Sequence, residues 1–376
     1  MTDFSSLQNS ISEIAADFAG DRPQRQMRRM LDPGDFDRLC QSGLPLVALH
    51  QRDGGLWSDV RQSTRPICEA LRALARGDSS VALVCSMHPA VLSYWLTIPP
   101  DERTESVRKQ CEEINQTVRD GNWWGTITSE PGSGGDVART RATAARGESP
   151  LEYFLSGQKH FGSGSGIVSY MVTTAVPEGE DNPDWFFIDM RNLPWDGSRG
   201  VAMTAEWDGH GMIATQSHSM SFERLPATRM ARQDQLVDVA SRSGGFIGCL
   251  FTSVIVGIAD VAIELANERF ASEKLRAFEQ VEWTKAKSEA WLIDQAYEGM
   301  LRAIERCEDP RLEVLQGKTA IAELAEVMLG RLCKVAGGSS FSRRSPFGFW
   351  FEDVRALGFL RPPWGLAYQN LIEGFV

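Results

Sequence analysis

Residues 123 to 144 read WWGTITSEPGSGGDVARTRATA, a strand-like run that breaks into Ser-Glu-Pro and then Gly132, Ser133, Gly134, Gly135 and Asp136. Glycines let backbone amides come close to a ligand, and successive N–H groups in such a turn cradle an anion. The bland alternative is a glycine-rich hairpin. No Gly-Lys-Ser/Thr follows, so the loop is not a nucleotide P-loop, and its glycines lack the G-x-G-x-x-G order of a dinucleotide fingerprint. Thirty residues on, SGQKHFGSGSG leads into the run YMVTTA. Ser156 to Lys159 reads as a turn, and the small residues after Phe161 suit a flat ligand lying against backbone. EWDGHGMIATQSHSMSFERLP and KVAGGSSFSRRSPFGFWFEDVRALGFLRPPW complete the set. In the last, Pro362 and Pro363 cannot sit inside a helix, and they follow Arg361.

Three zones of different texture must position these stretches. Residues 1–121 carry apolar residues at three- and four-residue spacing and predict helices. SVALVCSMHPAVLSYWLTI is apolar all round, as a buried helix would be. Residues 122–232 are dense in Gly and Pro. Short β-branched and aromatic runs there (WWGTITS, EYFLSG, YMVTTAV, DWFFIDM, HSMSFERL) predict a small antiparallel β domain. Residues 233–376 return to helical periodicity, with long helices expected over 237–270, 273–308 and 311–335 and a last one around 347–357. The reading is an α+β chain in three parts.

The chain has 376 residues, 42% hydrophobic and 24% charged, the balance of a globular protein long enough for two or three packed units. A net charge of −11 argues against nucleic acid as a partner. Seven scattered cysteines without a CxxC pair argue for reduced thiols, a cytoplasmic location and no zinc site. The acidic N-terminal stretch does not read as a signal peptide. The uncharged run Ser243 to Ala259 reads as too short for a membrane span.

In order and spacing the four stretches resemble the acyl-CoA dehydrogenase superfamily of flavoproteins, from Trp123 to Pro363. The family's aromatic-x-x-Thr-Glu-Pro-Gly-x-Gly-Ser-Asp stands here as Thr126 to Asp136. Its Gly-x-Lys-x-(Trp/Phe)-Ile-Thr-Asn stands as Gly157 to Gly164, its Gly-Met-Arg…Phe-Glu-x-Val-Pro as Gly211 to Ile213 and Phe222 to Pro226, and its Gly-Gly-x-Gly-(Tyr/Phe) as Gly337 to Phe341. The resemblance implies an N-terminal helical domain (1–121), a middle β-barrel or sandwich domain (122–232) and a C-terminal four-helix bundle (233–376). It also implies FAD as cofactor and a homodimer or homotetramer. By carry-over, Thr126, Thr128 and Ser129 would contact the isoalloxazine, Phe161 would pack on it, and the Ser163 hydroxyl would approach N5. Gly337 and Gly338 would meet the dinucleotide of a neighbouring subunit. Arg269 is a faint trace of the arginine that grips the pyrophosphate, Lys334 replaces a glutamine, and Gly135 replaces a serine that contacts the ligand's phosphate region.

Family dehydrogenases abstract a proton beside an acyl-CoA thioester with a glutamate while N5 takes hydride, and pass electrons to an electron-transfer flavoprotein. Counting from Glu352 and Asp353, that glutamate position holds Arg361; the alternative position, on the first bundle helix, falls at Ile247 and Gly248. Arginine stays protonated at neutral pH and is no base. Other members take reduced flavin (FADH2 or FMNH2) from a flavin reductase and monooxygenate an apolar small molecule. They show Ser-Gly where dehydrogenases show Thr-Asn, as Ser163–Gly164 does here, and use a histidine of the helical domain, for which His88 is the candidate. His160, by strand alternation, should face away from Phe161; His210 and His218 read as surface residues, and Asp353 as a structural ion-pair partner. The expected catalytic set is Ser163, His88 and Arg361, the last as a fixed charge. The leading expectation is an acyl-CoA dehydrogenase-like oxidoreductase with no assignable base. The alternatives are a reduced-flavin monooxygenase and an inactive member serving as an assembly protein.

Overall fold

Asp3, Asp32, Asp59, Asp78 and Thr104 each accept a backbone N–H from the turn that follows them. Those side chains satisfy donors that a helix start leaves orphaned. They set the starts of α1 (Phe4–Gly20), α3 (Pro33–Gln41), α4 (Val60–Gly77), α5 (Ser79–Leu96) and α6 (Glu105–Arg119); a single turn, α2 (Arg22–Arg25), follows α1. Asp78 both ends α4 and caps α5. The computed structural model describes residues 3–232, 236–272 and 274–375. The expected boundary at 232/233 and the expected helix start at 273 therefore fall against residues outside the described ones.

α5 is buried along its length except at Ser79 and Tyr94, and it runs through Pro89 as one helix. Its composition has no polar face, so it occupies the centre, touching α4, β1 and α7.

The middle zone holds β1 (Trp124–Thr126), β2 (Thr143–Arg146), β3 (Glu152–Gly162), β4 (Tyr170–Pro177), β5 (Asp184–Asp189), β6 (Val201–Ala205) and β7 (His218–Arg229). Five of them close a ring in the order β4-β2-β3-β7-β5, β5 pairing back to β4; β1 adds to β4 and β6 to β7. The expectation of an antiparallel domain needs correction, because β1 and β2 both run parallel to β4. Ser156 to Lys159 is not a turn either. It lies inside β3, where a bulge between Leu155 and Gly157 takes up the irregularity.

The last zone holds α7 (Leu236–Phe270), α8 (Ala277–Arg306), α9 (Arg311–Ala336), α10 (Pro346–Val354) and α11 (Trp364–Phe375). Three long helices and two short ones stand where a four-helix bundle was expected. α4 packs along α7 and α8: Arg72 bonds Asp260 at 2.6 Å and Asp294 at 3.0 Å, and Arg65 bonds Glu298 at 2.7 Å and Glu305 at 2.5 Å. α11 was not foreseen, since the double proline reads as the end of regular structure. Among the described residues two helical stretches are long and apolar enough to cross a membrane, Ser79–Leu96 and Ser241–Phe270, the second longer than the 243–259 run suggested; the most apolar part of each is largely buried inside the protein.

Candidate active site

β1 ends by clamping the glycine-rich loop onto β4. Ile127 N donates to Val172 O at 2.9 Å, Thr126 Oγ1 donates to the same carbonyl at 3.2 Å, and Thr173 Oγ1 donates to Ile127 O at 2.6 Å. Thr128 is buried, and Ser129 O accepts His160 N at 2.8 Å, which ties the loop to the end of β3. The following turn needs glycine: Gly132, Gly134 and Gly135 have φ of 78°, 64° and 82°. Beneath the turn lies Glu130. Its carboxylate accepts Arg141 N at 2.7 Å, Ala142 N at 3.1 Å and the Lys159 ammonium at 2.7 Å; Lys159 also donates to Thr174 O at 2.6 Å. Burial pulls Lys159 down to about 8 against the opposing pull of Glu130. This buried, fully bonded pair holds the loop's shape.

β3 carries a strained residue one position before its end. Phe161 has φ 61°, a conformation costly for a side chain with a Cβ, and its ring is 56% exposed, edge-on to Trp207 at 6.1 Å. Met212 and Gln216 share that strain, with φ of 50° and 48°. Between these segments runs a chain of hydroxyls. Ser163 Oγ lies 2.8 Å from Ser217 Oγ, which lies 2.8 Å from Thr215 Oγ1, which donates to Met212 O at 2.9 Å. The carbonyl can only accept, so each proton points away from Ser163 along the chain, and the Ser163 oxygen keeps lone pairs for a donor. Asp353 on α10 anchors the far end, accepting Met212 N at 2.6 Å and Ser79 Oγ at 2.6 Å. Burial raises its carboxyl to about 6. Asp353 is therefore held by hydrogen bonds, and the expected ion pair does not form among the described residues.

Arg361 sits in a loop pinned from below. Lys318 on α9 donates to Leu357 O and Leu360 O at 3.0 Å and to Pro362 O at 2.9 Å. It is 2% exposed, and burial lowers it to about 8. The Arg361–Pro362 bond is cis. Pro363 leans on the glycine-rich loop so closely that a Cβ on Gly135 would lie 2.6 Å from its Cγ. Gly135 is thus required twice, by its backbone angle and by this contact. Nothing in the sequence marks Lys318 beyond a lysine on an otherwise apolar face of α9.

Two expectations about histidines need correction. His88 is wholly buried; its Nδ1 accepts Trp124 N at 3.0 Å and its Nε2 lies 3.2 Å from Pro45 O. Burial lowers it to about 3. Both ring nitrogens are spent on backbone and the ring is neutral, so His88 orients β1 and has no proton to exchange with a ligand. His218 is buried rather than on the surface, and its Nδ1 accepts Trp207 N at 2.9 Å, while His210 is exposed. Arg269 and the turn Gly337–Gly338 do meet: Arg269 donates to Ser339 Oγ at 3.1 Å, and both glycines are exposed. They share one end of the helical zone. Ile247 and Gly248 lie within α7, where a Cβ on Gly248 would meet Val314 at 2.9 Å. A cavity of about 630 Å³ lies beyond α5, lined by His50, Trp57, Arg61, Leu96 and Arg103; it holds none of the predicted site residues.

The residues brought together fit a flavin. A strand end with hydroxyls, an aromatic ring held outward at the cost of backbone strain and an oxygen acceptor at Ser163 suit a flat ring with polar edges. No family model matches the chain. In sequence it is 26% identical over 266 residues to a probable FMNH2-dependent monooxygenase, SfnC of Pseudomonas putida, a match spanning 68% of this chain and 60% of that protein. It is also 26% identical over 356 residues to the amino sugar nitrososynthase DnmZ of Streptomyces peucetius, spanning 87% and 82%. In structure it resembles FMN-bound TdsC of Paenibacillus sp. A11-2, with TM-score 0.80, 19% identity and 98% and 97% coverage. It resembles butyryl-CoA dehydrogenase of Megasphaera elsdenii as well, with TM-score 0.82, 14% identity and 98% coverage of each chain. The fold is the helix–barrel–helix scaffold of flavin-dependent oxidoreductases. In fold the chain resembles the acyl-CoA dehydrogenase superfamily of flavoproteins.

Proposed function

We propose that the chain is a reduced-flavin-dependent monooxygenase acting on a small organic molecule. The observation that carries this reading is Arg361, a permanent cation on a pinned loop where a dehydrogenase of this family presents its carboxylate base. Removing a proton beside a thioester carbonyl needs a base within hydrogen-bond reach, and neither family position supplies one. Thr126, Thr128, Ser129 and Ser163 would hold a reduced flavin supplied by a separate reductase, and its chemistry with O2 would put one oxygen atom on the substrate and the other into water.

In this reading Thr126, Thr128 and Ser129 would support the flavin ring, Phe161 would cover it, and the Ser163 oxygen would accept a hydrogen bond from it. Gly135 admits the Arg361 loop beside it. Arg269, Gly337 and Gly338 lie where a longer dinucleotide or a second copy of the chain would reach. The sequence kinship with the FMNH2-dependent monooxygenase and the nitrososynthase supports the reading.

The test compares flavin binding in both redox states and the partner each demands. Tighter binding of FMNH2 than FMN, with O2 uptake when a flavin reductase and NADH are supplied, is the expected result. Tightly bound FAD that an acyl-CoA bleaches without oxygen would instead establish the dehydrogenase. Binding of no flavin in either state would leave only an assembly role.

A further inference from the structure

Arg361 is partly buried, and among the described residues its guanidinium makes no hydrogen bond and no ion pair. Arginine elsewhere in the core does not behave this way: Arg229, Arg25 and Arg72 are each fixed to carboxylates. A half-buried guanidinium with no protein partner keeps its N–H donors free for a ligand. The loop that holds it has no freedom to turn it outward, being tied to Lys318 through three carbonyls and braced against Gly135 through Pro363.

The surroundings say what would satisfy it. Tyr94 and Asp136 are the acidic groups close enough to act on its charge. Asp136 stays beyond ion-pair distance and spends Oδ1 on Ala138 N, capping the short turn Val137–Arg139. Lys159, the other cation in range, is already neutralised by Glu130. Tyr94 is the one residue besides Ser79 at which α5 is not buried; its ring meets Trp185 at 4.7 Å with the planes tilted by 42°, and its hydroxyl makes no hydrogen bond among the described residues. Pro362, Pro363 and Trp364 follow Arg361 in the loop, Pro363 against Gly135 and the Trp364 ring against Gly358. An unmatched fork of N–H donors and an unmatched phenol O–H, set among apolar rings, is a receptor for a planar monoanion. A doubly charged phosphate would leave a net charge to be buried.

We propose that this site takes an organic carboxylate, whose charge is received by the Arg361 guanidinium with the Tyr94 hydroxyl as second donor and whose apolar remainder lies among the aromatic and proline side chains. The proposal rests on the flavin-site reading for its location. It gives the substrate a class, a small apolar acid, and gives Arg361 a substrate-positioning role that its position in the family pattern does not suggest.

The experiment measures binding without turnover. FMN-loaded protein, with no reductase and no reduced flavin, is titrated calorimetrically with benzoate and benzamide and with octanoate and octanamide, and the flavin visible spectrum is followed. The expected result is that at least one acid binds ten-fold or more tighter than its amide and perturbs the flavin. Arg361→Met erases that preference, Arg361→Lys keeps part of it, and Tyr94→Phe weakens acid binding several-fold. Without ligand, Arg361→Met should melt no lower than wild type, since the side chain makes no bond to lose. Equal binding of acid and amide, binding of neither, or an acid preference that survives Arg361→Met overturns the proposal. If the acids bind as expected but no O2 is consumed with reduced flavin, the monooxygenase reading falls and the carboxylate site stands.

Discussion

Lys318 on α9 donates to the carbonyl of Pro362 at 2.9 Å, and with its other protons to Leu357 and Leu360. A chain turning through two prolines lacks the backbone donors to satisfy those carbonyls itself. Lys318→Met leaves buried acceptors unpaired, at a cost of about 3 kcal/mol. The variant should unfold at lower denaturant, and limited proteolysis should cut first between residues 357 and 363. A variant as stable and as protected as wild type would show that the loop is held by something else.

Gly135 and Pro363 test the same loop from above. Gly135→Ser restores the residue type of the family pattern, but it meets both a φ of 82° and Pro363 Cγ. The expected loss is about 2 kcal/mol, part strain and part overlap. Pro363→Ala in the same chain should return the overlap part and leave the strain. Urea unfolding of both single variants and the double variant reads the coupling directly.

Asp353 predicts a pH dependence. Its folded carboxyl titrates near 6 against an ordinary 3.8. Between those values the folded chain keeps a proton that the unfolded chain has released, so this group's contribution falls as pH rises through the window and is lowest above it. Asp353→Asn keeps an acceptor for Met212 N and offers a donor to Ser79. It should be more stable than wild type by about 1–3 kcal/mol at pH 8, and the advantage should vanish by pH 4. Melting both proteins across that range decides it; a difference that ignores pH would mean Asp353 is not a buried ionised group.

The hydroxyl chain predicts a redox preference. With its proton given to Ser217, Ser163 accepts from a ligand N–H, and a flavin carries N5–H only when reduced. Ser217→Ala frees the Ser163 proton to point at the ligand. The ratio of reduced to oxidised FMN affinity should drop several-fold, seen as a negative shift in the potential of bound flavin. Stability should change by less than about 1 kcal/mol. An unchanged potential would mean the chain does not set the polarity of Ser163.

Part of this site is legible along the chain because its constraints are local. Thr126 to Asp136 must leave a strand and turn sharply, and only Ser-Glu-Pro and a glycine cluster do that in so few residues, so the loop declares itself. The run of α5 declares its burial by lacking a polar face, and Pro362–Pro363 declares an irregular loop. His88 misleads because a histidine on an apolar helix looks the same whether it faces a ligand or a backbone. Only the approach of Pro45 and Trp124 shows that both nitrogens are spent. His218 misleads differently: it flanks a loop in the sequence, yet it packs inward and its Nδ1 accepts Trp207 N. The parallel pairing of β1 and β2 with β4 was also hidden, since short β-branched runs carry no sign of their partner's direction.

The sequence by itself determined the helical, β, helical order of textures, the glycine-rich strand-loop and a fixed cation at Arg361 beside two prolines. Each follows from backbone rules or residue charge acting over a few neighbours. Only the tertiary structure decided what Arg361 lacks, what Lys318 holds and which way the Ser163 hydroxyl points. Those depend on partners 39 to 54 residues away in the chain, brought within 3 Å by packing that no local pattern encodes.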